Sequence, residues 1–113
     1  MQYNTACNGI SCYTFYQVLL EDKNVLTQIF HNHKPDIVIH LAAQAGVRYS
    51  LINPDAYISS NIVAFTNILE CCRHFNVKHL VYASSSSVYG LNDAIPFATG
   101  QNVDHPISLY AAS

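Results

Sequence analysis

Two short apolar runs on either side of a helix-patterned stretch constrain this chain more than any other feature. Asp36-Ile37-Val38-Ile39-His40-Leu41 and His79-Leu80-Val81-Tyr82-Ala83 are continuous rather than alternating. Parallel strands buried on both faces read this way. Between the runs, Asn53-Pro54 is a helix start, with Asn as cap and Pro at the first helical position. Ile58, Ile62, Phe65, Leu69 and Cys72 then recur at 4-3-4-3 spacing. That spacing predicts a helix over 54–75 with this stripe turned inward, and Asn76 can close it in left-handed geometry.

The flanks extend the alternation. Residues 1–12 show no period and read as an irregular segment. Tyr13–Leu20 is rich in aromatic and branched residues, which favour a strand. Glu21-Asp22 supplies helix-start carboxylates, and Val25, Leu26, Ile29 and Phe30 form one stripe of a helix over 23–33. Lys34-Pro35 stops it. Ala42–Gly46 is a flexible strand exit, Ser84–Ser87 a polar turn, and Ile107–Ser113 the first turn of a further helix. The order β-α-β-α-β predicts an α/β fold with a parallel sheet. Such sheets bind ligands beyond the carboxyl ends of their strands. Ala42–Gly46, Ser84–Ser87 and Tyr110 fall there, so chemistry is expected at those positions.

Composition narrows the classes. The chain has 113 residues, one domain or part of one, and is 50% hydrophobic but only 11% charged. Five Lys and Arg in a chain of net charge -2 give no basic footprint for nucleic acid or an anionic membrane. Disorder is excluded by the high apolar content. No apolar run approaches the ~20 residues of a membrane span, and Met1–Thr5 lacks the pattern of a secretory signal. A cytoplasmic protein is expected. Cys7, Cys12, Cys71 and Cys72 are not spaced as a disulfide framework and read as reduced thiols. Neither Cys7-x4-Cys12 nor His31-x-His33 matches a ligand spacing, so no metal site is expected.

The residues at these strand ends carry a resemblance. Asp36–Ala43, Asn61, Ser84-Ser-Ser-Ser-Val-Tyr-Gly90 and Tyr110-Ala-Ala-Ser113 resemble the middle of an extended short-chain dehydrogenase/reductase, in the NAD-dependent epimerase/dehydratase family. Ala42–Ser50 with Asn53-Pro54 is most similar to the UDP-glucuronate 4-epimerase branch. The resemblance implies a partial Rossmann-like domain over 13–113, binding NAD, with a UDP-sugar as substrate and a homodimer in full-length members. It implies that Tyr110 is the catalytic base, that Ser85 is its hydroxyl partner, that Leu41, Ala42, Ala43, Gln44 and Ser84 lie along the NAD, and that Asn61 braces the loops beside it. A phenol of ordinary pKa, about 10, is a weak base at neutral pH and needs a nearby cation.

Three positions depart from the family pattern. No G-x-G-x-x-G is present, since Gly9 and Gly46 stand alone. The Lys of Tyr-x-x-x-Lys falls just beyond Ser113, and Leu19 stands where members carry an adenine-binding Asp. The first βαβ unit and the C-terminal substrate lobe are also absent. The chain is therefore expected to be an internal piece of a nucleotide-sugar 4-epimerase, inactive by itself. The alternatives are a dehydratase of the same family, or a non-catalytic remnant serving as an interaction module. In the family's strand order, 36–40 and 79–83 are neighbours, crossed by helix 54–75. Segment 13–19 should pair with 36–40 or be poorly ordered.

Overall fold

The computed structural model describes residues 2–7 and 10–113, with side chains from Tyr13 onward. Strand β3 (Ile37–His40) pairs in parallel with β4 (His79–Tyr82), in the register Ile37 to His79 and His40 to Tyr82. The expected neighbours are thus paired. Helix α1 (Lys23–His33) is capped by Asp22, whose carboxylate accepts from the N–H groups of Asn24 and Val25 at 3.1 Å. It ends at Lys34, which turns left-handed at φ 43° before Pro35 can clash with a further turn. Helix α2 (Val47–Ile52) follows the strand exit, over residues to which the sequence pattern assigns no element. Helix α3 (Pro54–Tyr57) starts on the Asn53 cap, runs into a wide π turn (Ile58–Val63), and continues as α4 (Ala64–His74). Asn76 follows in left-handed geometry at φ 54°. A short 3-10 turn (Ser86–Tyr89) and α5 (Leu109–Ala112) complete the order.

The N-terminal expectation is corrected. Residues 13–16 pair with the segment before them rather than with 36–40, and 17–19 lie outside any strand. Strand β1 (Gln2–Cys7) and β2 (Ile10–Tyr16) form an antiparallel hairpin, from Gln2–Tyr16 to Cys7–Ile10. The irregular reading of 1–12 fails for the same reason at its described residues, 2–7 and 10–12. In the sequence, Asn8-Gly9 lies between the paired ends, and this dipeptide is the strongest short-range hairpin signal. Pairing within the hairpin satisfies backbone groups that a lone strand would leave in water. Tyr16 fixes the hairpin to α1, its hydroxyl at 2.5 Å from Nε2 of His33.

The core lies between one face of the β3–β4 sheet and helices α1 and α4. Leu26, Phe30, Ile68 and Cys71 form its centre, with Leu20, Val38, Phe65, Phe75 and Leu80 packed around them. The two apolar runs are therefore buried on one face only. Ile37, Ile39, Leu41 and Val81 face water, with Ile39 65% exposed. The inward stripe is also corrected, because the buried stripe runs through Tyr57, Asn61, Ala64, Ile68 and Cys71, with Asn67 buried beside it. That is the same 4-3-4-3 spacing moved back by one residue, while Ile58, Ile62 and Leu69 stay exposed. Polar anchors choose the face. Asn67 donates to the carbonyls of Leu20 and Glu21, and Asn61 grips the loop after β3. Hydropathy cannot report a face selected by buried amides.

Candidate active site

The strand exits give the site its floor. After β3 the chain leaves through Leu41, Ala42, Ala43, Gln44 and Ala45, and after β4 through Ala83, Ser84 and Ser85. All of these but Gln44, together with His40, Asn61, Phe65, Tyr82, Val88 and residues 110–113, line a pocket of about 430 Å³. Leu41, Ala42, Ala43, Asn61, Ser84, Ser85 and Tyr110, all singled out from the sequence, meet on this cavity. Gln44 does not line it.

Gln44 is instead held from behind. The Asn61 side chain accepts from the Gln44 N–H at 2.8 Å and donates to the Gln44 carbonyl at 3.1 Å. The same amide nitrogen donates to the Ser113 hydroxyl at 2.9 Å. The two halves of this amide together mimic a strand partner for the loop, and its nitrogen also reaches the turn that carries Tyr110. Asn61 sits in the π turn, where widening of a helix commonly accompanies a functional side chain.

Ser85 caps the 3-10 turn, its hydroxyl oxygen accepting from the Ser87 N–H at 3.2 Å. An oxygen so used keeps its own hydrogen free to donate. Tyr110 lies in the first turn of α5, which Ser108 caps by accepting from the Ala111 N–H at 3.1 Å. Gly90, at φ +58°, closes the 3-10 turn, and a Cβ there would meet the His105 carbonyl oxygen at 2.5 Å. Only glycine lets the following loop return so closely.

Three wall residues were given no role in the site from the sequence: His40, Phe65 and Tyr82. Phe65, expected only as part of the helix stripe, stacks on His40 at 5.2 Å between ring centroids and lies 5.1 Å from Tyr82. Its position four residues after Asn61 on one helix was the available signal. Arg48 is exposed, and Cys71 and Cys72 are free thiols. Among the described residues, no group of three or more His, Cys, Asp or Glu could hold a metal, and no helix is long and apolar enough to cross a membrane.

Burial lowers the His40 pKa below its ordinary value. A depressed folded-state pKa means that the unfolded chain binds this proton more readily. The contribution is therefore present above about pH 6.5 and lost as pH falls. Urea midpoints at pH 7 and pH 5 are expected to differ less for His40→Phe, which keeps the stack, than for the native chain. An unchanged difference between the two pH values would count against the assignment.

The model of the NAD dependent epimerase/dehydratase family matches residues 1–113. The chain is 59% identical over 105 residues to protein CapI of Staphylococcus aureus, covering 93% of this chain and 31% of that protein. It is 50% identical over 95 residues to UDP-glucuronate 4-epimerase 1 of Arabidopsis thaliana, covering 83% of this chain and 22% of that one. The fold matches the NAD complex of UDP-glucose 4-epimerase from Thermus thermophilus with a TM-score of 0.81 at 32% identity, covering 95% of this chain and 34% of that one. The chain thus spans about a third or less of the length of these relatives.

Proposed function

We propose, for a chain that belongs to the NAD dependent epimerase/dehydratase family, that residues 13–113 are part of the NAD-binding domain of a nucleotide-sugar 4-epimerase acting on UDP-glucuronate. The observation that carries this reading is the convergence of Ala42, Ala43, Ser84, Ser85 and Tyr110 on one pocket beyond the carboxyl ends of two parallel strands. Similarity to UDP-glucuronate 4-epimerases favours epimerisation over dehydration.

The pocket suits the nicotinamide half of the dinucleotide. Ala42, Ala43, Ala45 and Ala83 leave a smooth wall for a flat ring and its ribose, with Leu41, Gln44, Asn61 and Ser84 alongside. The pyrophosphate finds no such match, because the sequence has no glycine-rich turn to offer it backbone N–H groups. When bound, NAD supplies acceptance and return of the hydride at the sugar C4. The chain's own residues handle the proton. Tyr110 takes it from the C4 hydroxyl and gives it back, while Ser85 donates its free hydrogen to the same sugar oxygen as charge develops. The 113 residues alone lack the phosphate cradle and the motif Lys, so they hold NAD weakly and do not epimerise.

The test has two arms. Equilibrium dialysis of the 113-residue chain is expected to give NAD binding weaker than micromolar, with no conversion of UDP-glucuronate to UDP-galacturonate. A chimera carrying this stretch in place of the matching 95 residues of the Arabidopsis enzyme is expected to be active. Tyr110→Phe in that chimera should lower kcat by about 10²–10⁴-fold. Full kcat in the Tyr110→Phe chimera, or turnover by the isolated chain, would overturn the corresponding half of the reading.

A further inference from the structure

Tyr57 is the largest fully buried side chain among the described residues, at 0% exposure, yet it lies outside the hydrophobic core cluster. Two of its partners, Ala45 and Tyr110, line the site. Its hydroxyl is bonded to the carbonyls of Ala45, at 3.0 Å, and Gly46, at 2.5 Å. Those carbonyls end the loop that follows β3. Gly46 sits at φ +108°, a conformation that L side chains rarely adopt, so the loop turns sharply where Tyr57 holds it. The other end of the contact is the ring. Its centroid lies 5.9 Å from that of Tyr110 at an interplanar angle of 70°, an edge-to-face arrangement. Tyr49 packs against the same ring at 6.2 Å, and its hydroxyl accepts from the Asn53 amide that caps α3.

We infer that Tyr57 is a positioning residue, a single rigid side chain that sets both the strand-exit loop at Ala45 and Gly46 and the ring of Tyr110. The inference deepens the epimerase reading and rests on it for the role of Tyr110. A tyrosine serving only to fill space would need one acceptor and apolar neighbours. Here two loop carbonyls and the candidate base share it, and tyrosine has only two χ angles to lose in doing so. Phenylalanine would keep the edge contact and lose the loop. Leucine would lose both.

Nuclear magnetic resonance of the 113-residue chain, labelled with 13C in its tyrosine rings, separates these halves. Tyr110→Phe and Tyr57→Phe identify the two ring signals by their disappearance. The Tyr57→Phe chain is expected to leave the Tyr110 resonances in place while hydrogen exchange at the neighbouring Gln44 amide rises about 2- to 12-fold, as the hydroxyl that holds the Ala45 and Gly46 carbonyls is removed. Tyr57→Leu is expected to move the Tyr110 resonances to those of a solvent-exposed tyrosine, with α4 and β4 amides still protected. Native Tyr110 resonances in a folded Tyr57→Leu chain would overturn the ring half. Unchanged Gln44 exchange in Tyr57→Phe would overturn the loop half, whichever way the leucine variant folds. Neither readout depends on NAD or turnover, so failure of the epimerase reading is separately visible in the chimera.

Discussion

Phe30→Ala is expected to leave the 113-residue chain with no cooperative unfolding transition. Phe30 is 5% exposed at the centre of the one hydrophobic cluster among the described residues, 6.0 Å from the ring of Phe75. Removing a buried phenylalanine costs about 3–5 kcal/mol in lost burial and residual cavity. Typical domains hold only 5–15 kcal/mol in total, and this chain starts below its size class. A compact monomer of its mass exposes roughly 6,200 Å². Here 8235 Å² stays in water, including one whole face of the β3–β4 sheet. Surface left exposed contributes nothing to folding, so the remaining cluster cannot absorb the loss. Circular dichroism across a urea series checks this. A sigmoidal transition with the native midpoint would refute it, and Leu91→Ala, at an exposed position, serves as a control expected within about 0.5 kcal/mol of native.

The parts of this architecture that were legible in the sequence are those where several local signals coincide. Helix α1 carries a cap at Asp22, a stripe through Leu26 and Phe30, and a stop at Lys34-Pro35, and all three agree. The parallel pair 37–40 and 79–82 follows from two apolar runs joined by a capped helix. Ala42, Ala43, Ser84, Ser85, Asn61 and Tyr110 meet because strand ends collect ligands in this class of sheet. What escaped depends on partners distant in the chain. The buried face of α4 was misread by one residue because Asn61 and Asn67 bond backbone 17 and 47 residues away. Tyr57 reads as an ordinary helical aromatic until its hydroxyl is seen on a loop 11 residues earlier. The hairpin is different. Its Asn8-Gly9 signal was local and present, and the strand after it was read without its partner.

The clamp at Asn61 gives the second large effect, and it can be tuned by pH. Asn61 is 6% exposed and makes three hydrogen bonds, two to Gln44 and one to Ser113. Asn61→Leu fills similar space but leaves the Gln44 N–H and carbonyl without their partner. An unmet buried polar group costs about 1–3 kcal/mol, which predicts hydrogen exchange at the Gln44 amide faster by about 5- to 150-fold. The Tyr110 turn should loosen with it, since Ser113 loses its donor. Asn61→Asp separates the donor from the acceptor. A carboxylate can still accept from the Gln44 N–H, but it faces the Gln44 carbonyl with no hydrogen to give. Burial and that carbonyl both favour the protonated acid, which raises the folded-state pKa above the unfolded one. The sign follows directly: protection in Asn61→Asp is native-like below the unfolded carboxyl pKa of about 4 and is lost as pH rises through the folded value. Exchange at Gln44, corrected for the intrinsic pH dependence of amide exchange, should therefore slow on acidification in Asn61→Asp and stay flat in Asn61→Leu. Parallel pH profiles for the two variants would mean that the asparagine holds the loop by shape rather than by its paired donor and acceptor.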